Sequence, residues 1–181
     1  MLEVERKARI KDRSEIISKL DKLGCIIKKA KEQEDKIFIR KEIKNFDIPV
    51  GENVIRIRKE EDKNILTLKK KTDDNNAFIE LETLIEDADI ISRMLEEMGY
   101  IEKVFIKKKR MRYSLDKMSI CIDNIESLGN FIEVEILSEE NEKQKNEALK
   151  TIEEFLNKLE ISKEDYEEKR YDTLMYELNN K

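Results

Sequence analysis

The opening segment of the chain places charged side chains at a spacing that could do chemistry. Glu3, Glu5 and Lys7 occupy every second position, so in a β-strand their side chains share one face. Two carboxylates suit a hard divalent cation, and an ammonium group suits an anion such as phosphate. An ordinary half-buried strand that turns its charged face to water shows the same alternation. The segment alone therefore leaves both interpretations open.

The alternation recurs in at least five later segments, and the charged faces fall into two chemical classes. The acidic candidates are Glu80, Glu82, Asp123, Glu133 and Glu135, and the basic ones are Arg56, Arg58, Lys69, Lys108, Arg110 and Arg112. Mg²⁺ or Mn²⁺ prefers carboxylate oxygens, whereas phosphate oxygens bind guanidinium and ammonium groups. A cavity lined by both classes is typical of a site for a di- or triphosphate with a bound metal. Each Glu-x-Glu pair by itself is weak support in a chain that is 44% charged.

Composition excludes several classes of site. The chain has no histidine, which removes the commonest general base and every histidine-dependent triad. Only four glycines and one proline are present, so a glycine-rich phosphate loop is excluded. A net charge of -5 disfavours broad nucleic-acid binding. Two cysteines without CxxC spacing, no membrane-length apolar run and no signal-peptide pattern predict a cytoplasmic protein that does not bind membranes.

The charged positions fall in segments with the two-residue period of β-strands. Strand-like sequence covers nine segments, at 1–10, 25–29, 33–40, 54–60, 64–71, 77–84, 100–113, 118–124 and 130–137, which we expect to form eight strands. A turn is predicted at 73–76. The loop 41–53, which holds the only proline, could move over a site opening.

Helical periodicity appears in four places. Asp12 or Ser14 can cap a first helix that ends at Gly24, and Asp87 or Asp89 can cap a second that ends at Gly99. The second helix has an apolar stripe that we expect to be buried, formed by Ile90, Ile91, Met94, Leu95 and Met98. A third helix is predicted over 141–159, and the tail 163–178 reads as a short helix broken near 170–171.

These elements predict one α+β domain over residues 1–181. Most strands have one apolar and one charged face, and the amphipathic helices offer apolar stripes to cover the former. If the helices pack outside, the charged faces line the interior of an eight-stranded antiparallel closed β-barrel, a tunnel with a charged lumen. So many interior charges are tolerated only when they pair with one another or hold a ligand.

The motif Glu3-x-Glu5-x-Lys7 resembles the signature of the CYTH proteins, the triphosphate tunnel metalloenzymes. That family includes class IV adenylyl cyclases and thiamine or inorganic triphosphatases. The similarity extends over nearly the whole chain in the family's order. The matching segments are Gln33-Glu34-Asp35, Arg56-Ile57-Arg58, Leu66-Thr67-Leu68-Lys69, Glu80-Leu81-Glu82, Lys108-Lys109-Arg110, Ile122-Asp123 and Leu128-Gly129-Asn130-Phe131-Ile132-Glu133-Val134-Glu135.

The resemblance implies roles for individual residues. Metal ligands are expected among the acidic set of Glu3, Glu5, Glu133, Glu135, Asp123, Glu80 and Glu82. Phosphate is expected to bind Lys7, Arg56, Arg58, Lys69, Lys108, Arg110 and Arg112, of which Lys7, Arg56 and Lys69 are the catalytic candidates. Two positions depart from the family pattern: Phe78 stands where many members have a basic residue, and Arg170 replaces the serine of a terminal Ser-Tyr pair.

We expect a metal-dependent enzyme that uses Mg²⁺ or Mn²⁺ on ATP, thiamine triphosphate or inorganic triphosphate. Hydrolysis is favoured, because water needs no second substrate group to be positioned and no adenine-reading motif is visible. A class IV adenylyl cyclase, which forms cyclic AMP and pyrophosphate, is the first alternative. A non-catalytic module that binds polyphosphate or a nucleotide is the second, and the sequence leaves a homodimer open.

Overall fold

The fold is built on a long antiparallel sheet. The computed structural model describes residues 2–72, 78–139 and 141–181, apart from the side chains of Leu2 and Phe78. The strands are β1 (Leu2–Ile10), β2 (Ile26–Arg40), β3 (Asn53–Glu60), β4 (Lys63–Lys71), β5 (Phe78–Ile85), β6 (Tyr100–Leu115), β7 (Met118–Ile125) and β8 (Gly129–Ser138). Their order in the sheet is β1-β8-β7-β6-β2-β3-β4-β5. The predicted α+β class with an eight-stranded antiparallel sheet is confirmed, and its closure into a barrel stays a prediction.

Four α-helices accompany the sheet, and two of them begin where a carboxylate caps the chain. The helices are α1 (Arg13–Lys22), α2 (Ala88–Glu97), α3 (Glu142–Lys158) and α4 (Tyr171–Asn179). Asp12 accepts hydrogen bonds from the first backbone N–H groups of α1, and Asp87 does the same for α2. Gly24 and Gly99 follow α1 and α2 with φ of 76° and 86°, a left-handed conformation that ends a helix.

The chain forms two compact units, and each has its own core. The first unit comprises residues 1–31 and 108–169. The apolar faces of β1, β7 and β8 pack there against α1 and α3, and Ile120, Ile132 and Ile152 are fully buried. Alternation along the strands explains this arrangement, because the same strands turn Glu5 and Glu133 to the other face.

The second unit comprises residues 32–107 and 170–181. Its apolar core joins Phe38, Ile55 and Ile57 of the sheet to Leu95 of α2. The predicted burial of the α2 stripe is correct for Leu95 but wrong for three members. Ile90, Met94 and Met98 are all more than half exposed. The helix turns Ile91 and Leu95 toward the sheet, and the side of α2 that carries the other three residues is not covered by the described parts of the chain.

One strand differs from the sequence-based expectation, and the structure adds detail to one predicted loop. The segments predicted as separate strands at 25–29 and 33–40 form one strand, β2. The segment 41–52 is anchored, since Ile43, Phe46 and Ile48 are buried, and the Phe46 ring stacks on Tyr176 of α4 with ring centroids 5.3 Å apart. The turn predicted at 73–76 lies outside the described residues. Within the parts of the chain that are described, no helix has the length and apolarity to cross a membrane.

Truncation of a core residue of α3 tests the first unit's packing. Ile152 is fully buried against the sheet, so Ile152→Ala removes apolar contacts and leaves a cavity. We expect the free energy of unfolding in urea to fall by about 2–5 kcal/mol. Lys150 is largely exposed on the same helix, and the control Lys150→Ala should change it by less than about 0.5 kcal/mol. Equal effects of the two substitutions would contradict this packing.

Candidate functional site

The charged face of the first unit is organised by the pairing of β1 with β8. Glu5 lies opposite Glu135, and Lys7 lies opposite Glu133. Residues directly opposite on an antiparallel pair have Cβ atoms about 5 Å apart. The predicted acidic pairs of these two strands are therefore brought together, with the Lys7 ammonium beside them, and Lys7 is buried while Glu3 and Glu5 are exposed.

Carboxylates on this face repel one another. Partial burial raises the pKa of Glu135, and the negative charges of Glu3, Glu5 and Glu133 raise it further. The positive charge of Arg110 lowers the pKa of Glu135 and only partly offsets these effects. Like charges held on adjacent strands cost free energy unless a cation lies between them. Negative charge therefore predominates in the immediate surroundings of Glu135.

Arg110 of β6 pairs with carboxylates of the two neighbouring strands β7 and β8. Its Nε and Nη2 donate to the two carboxylate oxygens of Asp123 at 2.7 and 2.5 Å, and Nη2 also donates to Glu133. Burial alone would lower the pKa of Arg110, but the hydrogen bond and charge of Asp123, together with Glu133, raise it well above its usual value. Arg110 and Asp123 therefore compensate each other and present neither a free cation nor a free carboxylate.

The other predicted residues of this face are Lys108, Arg112 and the neighbouring Cys121. Lys108 is buried and Arg112 is exposed. Arg112 lies opposite Cys121 in the β6–β7 register. Burial raises the pKa of the Cys121 thiol, which therefore stays protonated at neutral pH and serves as a small filler of the face.

The second unit contains a buried bidentate ion pair. Arg58 of β3 donates through Nε and Nη2 to the carboxylate of Asp35 on β2 at 2.6 and 2.8 Å. The two residues are opposite in register and both are buried, with 8% and 3% of their surfaces exposed. Two parallel hydrogen bonds fix the guanidinium plane as well as its position.

Arg56 lies two residues before Arg58 and is less fully compensated. Its Nη2 donates to Thr67 Oγ1 at 3.0 Å and to Glu82 at 3.3 Å, while Nε is buried without a partner. Burial lowers the pKa of Arg56, and the positive charge of Arg58 lowers it further. Asp35, Glu80 and Glu82 partly offset these effects on the pKa, and Arg56 keeps one buried donor without a partner.

Lys69 and Glu80 form an ion pair across β4 and β5, where they are opposite in register. Glu80 and Glu82 are both exposed. Each of these carboxylates contacts a cation of the second unit, which fits the sequence-based alternative in which they serve as partners of Lys and Arg. The side chain of Phe78, at the position where many family members are basic, lies outside the described residues.

Sequence reasoning missed the polar residues that support the arginines. Asp35, Gln33 and Glu60 are buried on the same face, and Gln33 donates to Glu60. Thr67 is fully buried and joins Arg56 to Glu82. The signal was available in the two-residue period of β2, which places Gln33 and Asp35 on one face. The strand pairing that sets Asp35 against Arg58 could not be read from one sequence.

The acidic side chains of β1 and β8 have the donor chemistry that a hard divalent cation prefers, since they offer carboxylate oxygens from neighbouring strands. Nevertheless, no three Asp, Glu or Cys side chains within 2–72, 78–139 and 141–181 are already grouped as a ligand set. Binding there would require rotation of the long glutamate side chains. Glu3, Glu5, Glu133 and Glu135 are the residues whose charge a cation would relieve.

Each unit thus has its own set of charged side chains, with the carboxylates of β1 and β8 in the first and the carboxylate-paired Arg56, Arg58 and Lys69 in the second. The CYTH domain family model matches residues 1–171. The chain belongs to this family, and the resemblance noted in the sequence is confirmed.

Individual relatives agree with this assignment. The chain is 34% identical over 176 residues to "Putative adenylate cyclase MJ0240" of Methanocaldococcus jannaschii, an alignment that covers 94% of this chain and 97% of that protein. The structure of PH1012 protein from Pyrococcus horikoshii OT3 aligns with a TM-score of 0.79 and 26% identity over 96% of this chain and 99% of that one. HpAC1 from Hippeastrum, described as having a dominant triphosphatase activity, aligns with a TM-score of 0.65 over 98% of this chain and 96% of that one; its 18% identity shows the fold alone.

Removal of the Asp35 charge from its buried ion pair with Arg58 should destabilise the folded protein. Asp35→Asn leaves the Arg58 charge buried with weaker compensation, and we expect the free energy of unfolding to fall by about 3–5 kcal/mol. The matched control is Glu82→Gln, because Glu82 is exposed and pairs with Arg56, and its cost should not exceed about 1 kcal/mol. Urea unfolding at neutral pH measures both, and similar losses would show that Asp35 has no special role.

The raised pKa of Glu135 predicts a pH-dependent effect in metal-free protein. In the folded state Glu135 holds its proton to higher pH than in the unfolded chain, so its stabilising contribution is present at acid pH and is lost as pH rises through the folded pKa. Glu135→Gln should therefore stabilise the protein in EDTA at pH 7.5 relative to wild type, and this advantage should shrink at pH 4. Urea unfolding at both pH values measures the difference. A variant that is less stable than wild type at pH 7.5 would contradict the repulsion.

Proposed function

We propose that this protein is a divalent-metal-dependent enzyme that acts on a small-molecule triphosphate, and that its reaction is hydrolysis. The observation that carries the proposal is the β1–β8 register, which sets Glu5 opposite Glu135 and Lys7 opposite Glu133. Four carboxylates on adjacent strands beside the buried ammonium of Lys7 suit a metal-bound phosphate better than they suit a purely structural strand. Membership of the CYTH family supports the same substrate class.

Residues of the first unit would share the binding of metal and phosphate. Glu3, Glu5, Glu133 and Glu135 would hold Mg²⁺ or Mn²⁺, which when bound neutralises negative charge that develops on the phosphate oxygens. Lys7 would donate to a phosphate oxygen and keep its position relative to the carboxylates fixed. Arg110 holds Glu133 in place through their ion pair and thereby acts as a positioning residue.

In the second unit, Arg56, Arg58 and Lys69 are the proposed phosphate-binding residues. Arg56 has a buried Nε without a partner, and a phosphate oxygen would satisfy this donor and offset the positive charge that lowers the pKa of Arg56. The guanidinium of Arg58 is held rigid by Asp35, so little side-chain entropy would be lost on binding. No histidine is required, because water attacks the terminal phosphorus when the phosphates are held in position and their charge is neutralised.

A class IV adenylyl cyclase is the second candidate, and the name of the 34%-identical relative of Methanocaldococcus jannaschii favours it. In that reaction the ribose 3′-hydroxyl attacks the α-phosphorus and pyrophosphate leaves. The two reactions differ in the phosphorus attacked and in the need to hold a nucleoside. We prefer hydrolysis because attack by water does not require a second group of the substrate, such as the ribose hydroxyl, to be held in position.

One assay panel separates the candidates. Purified protein is incubated with Mg²⁺ or Mn²⁺ and with ATP, inorganic triphosphate or thiamine triphosphate, while phosphate, pyrophosphate and cyclic AMP are measured. We expect metal-dependent phosphate release. Cyclic AMP with equimolar pyrophosphate from ATP would replace hydrolysis by cyclisation. Tight metal-dependent binding by calorimetry with no product would overturn the enzymatic proposal and favour a binding module.

Substitutions on β1 test the assignment of residues. Glu5→Gln and Lys7→Ala should each lower kcat/KM by about 100-fold or more, as is typical when a group that stabilises transition-state charge is lost. Glu5→Gln should also weaken Mn²⁺ binding in calorimetry, a measurement that needs no turnover. The matched controls Glu147→Gln and Lys150→Ala change exposed residues of α3 and should leave both quantities unchanged. Wild-type turnover in both β1 variants would remove the metal and phosphate assignment.

A further inference from the structure

Arg9 lies on the charged face of β1 but has no part in the chemistry proposed above. It follows Glu5 and Lys7 at the two-residue period and lies opposite Phe131 of β8. Its guanidinium carbon is 4.8 Å from the centre of the Phe131 ring, a distance typical of a cation–π contact. Since β1 ends at Ile10, Arg9 is the last residue of the row that contains Glu5 and Lys7.

The guanidinium of Arg9 is held by residues that are distant in sequence. Its Nε and Nη2 both donate to Oε2 of Glu167, at 3.2 and 3.0 Å, and Nη1 donates to the backbone oxygen of Leu128 at 3.4 Å. The other carboxylate oxygen of Glu167 accepts from the backbone N–H of Lys169 at 3.1 Å. Both charged groups are therefore fixed at more than one atom, although 48% of the Arg9 side chain is exposed.

Glu167 belongs to a segment, residues 162–168, that we call the strap. Tyr166 of the strap packs against the core of the first unit and forms an isolated antiparallel bridge with Ala8 of β1. The backbone N–H of Glu167 donates to the backbone oxygen of Lys7 at 2.8 Å. The strap therefore contacts the edge of β1 through its main chain at the same place where the Glu167 side chain holds Arg9.

The hydrogen bond from the strap determines how Lys7 meets β8. In an antiparallel strand the N–H and C=O of one residue point to the same side, so these groups of Lys7 face the strap and not β8. Lys7 and Glu133 are therefore a non-hydrogen-bonded pair, the kind in which the Cα atoms lie about 4.5 Å apart and the side chains are closer. The same alternation makes Glu5 and Glu135 such a pair. The strap thus secures β1 at the residue whose ammonium lies beside the carboxylates of β1 and β8.

We propose that Glu167 is a positioning residue for Lys7 and that Arg9 holds Glu167 in place. This inference rests on the proposed function, because it assigns the strap a role in the binding of phosphate by Lys7. An ion pair as exposed as Arg9–Glu167 contributes little to the stability of a fold. Its effect on geometry can be larger, since misplacement of a reacting group by about 1 Å can lower the rate about 100-fold.

Two substitutions of Glu167 separate the contacts of the strap. Glu167→Gln keeps the backbone N–H and weakens the ion pair with Arg9, whereas Glu167→Pro also removes the N–H that donates to Lys7. Proline is compatible with the preceding residue, because Tyr166 has φ of -66° and ψ of 140°. The matched control is Glu168→Gln, which removes the charge of the next residue, an exposed glutamate.

Triphosphate turnover and Mn²⁺ binding are measured for each variant. We expect Glu167→Gln to lower kcat/KM about 10-fold and Glu167→Pro about 100-fold, while Mn²⁺ affinity in calorimetry stays at the wild-type level because the carboxylates of β1 and β8 remain. Glu168→Gln should change neither quantity. In a Lys7→Ala background, Glu167→Pro should cause no further loss, since the strap acts through Lys7. An equally large loss in that background, a parallel loss of Mn²⁺ affinity, or unchanged turnover in both Glu167 variants would overturn the proposal.

Amide hydrogen exchange tests the strap without substrate. The Glu167 N–H donates to Lys7, so it should be protected in the wild type, and Arg9→Gln should raise its exchange rate about 10-fold. The control Arg93→Gln changes an exposed arginine of α2 and should leave the rate unchanged. An unprotected Glu167 amide in the wild type would overturn the proposal. If no triphosphate is turned over, the proposed hydrolysis fails, and the same variants are compared by their affinity for inorganic triphosphate with Mn²⁺, where the same order of losses is expected.

Discussion

The structure depends on charge compensation across strands whose buried faces are polar. A guanidinium or carboxylate removed from water costs several kcal/mol unless a partner replaces its solvation. Arg58 with Asp35, and Arg110 with Asp123, meet this requirement through paired hydrogen bonds. In each pair the arginine and the aspartate lie opposite one another on adjacent strands. Strand register, rather than local sequence, therefore determines whether these buried charges are compensated.

Compensation is incomplete at two places, and these are the places where a ligand would be stabilised. In the first unit, burial raises the pKa of Glu135, and the negative charges of neighbouring carboxylates raise it further. In the second unit, Arg56 keeps a buried donor without a partner and lies beside Arg58. The first imbalance calls for a cation and the second for an anion. The CYTH family assignment agrees with both requirements.

Strand periodicity predicted much of the fold, because alternation is a local property. The apolar face of β1 and its charged face with Glu5 and Lys7 follow directly from it. The caps Asp12 and Asp87 follow from another local property, the preference of aspartate for the position before a helix. Pairing partners are non-local, so the role of Asp35 in holding Arg58 was missed. The predicted burial of the α2 stripe was wrong in part for another reason. Periodicity identifies an apolar side of a helix but does not show whether the chain covers a residue on it, such as Met94.

The most direct test of the account is where a divalent cation and a triphosphate bind. Crystals grown with Mn²⁺ and inorganic triphosphate, measured at the manganese edge, would locate the metal by its anomalous scattering. The account predicts a peak ligated by carboxylates of β1 and β8, with phosphate oxygens contacting Lys7. Mn²⁺ and triphosphate bound only to exposed side chains outside the charged faces, with Glu5 and Glu135 uninvolved, would contradict it.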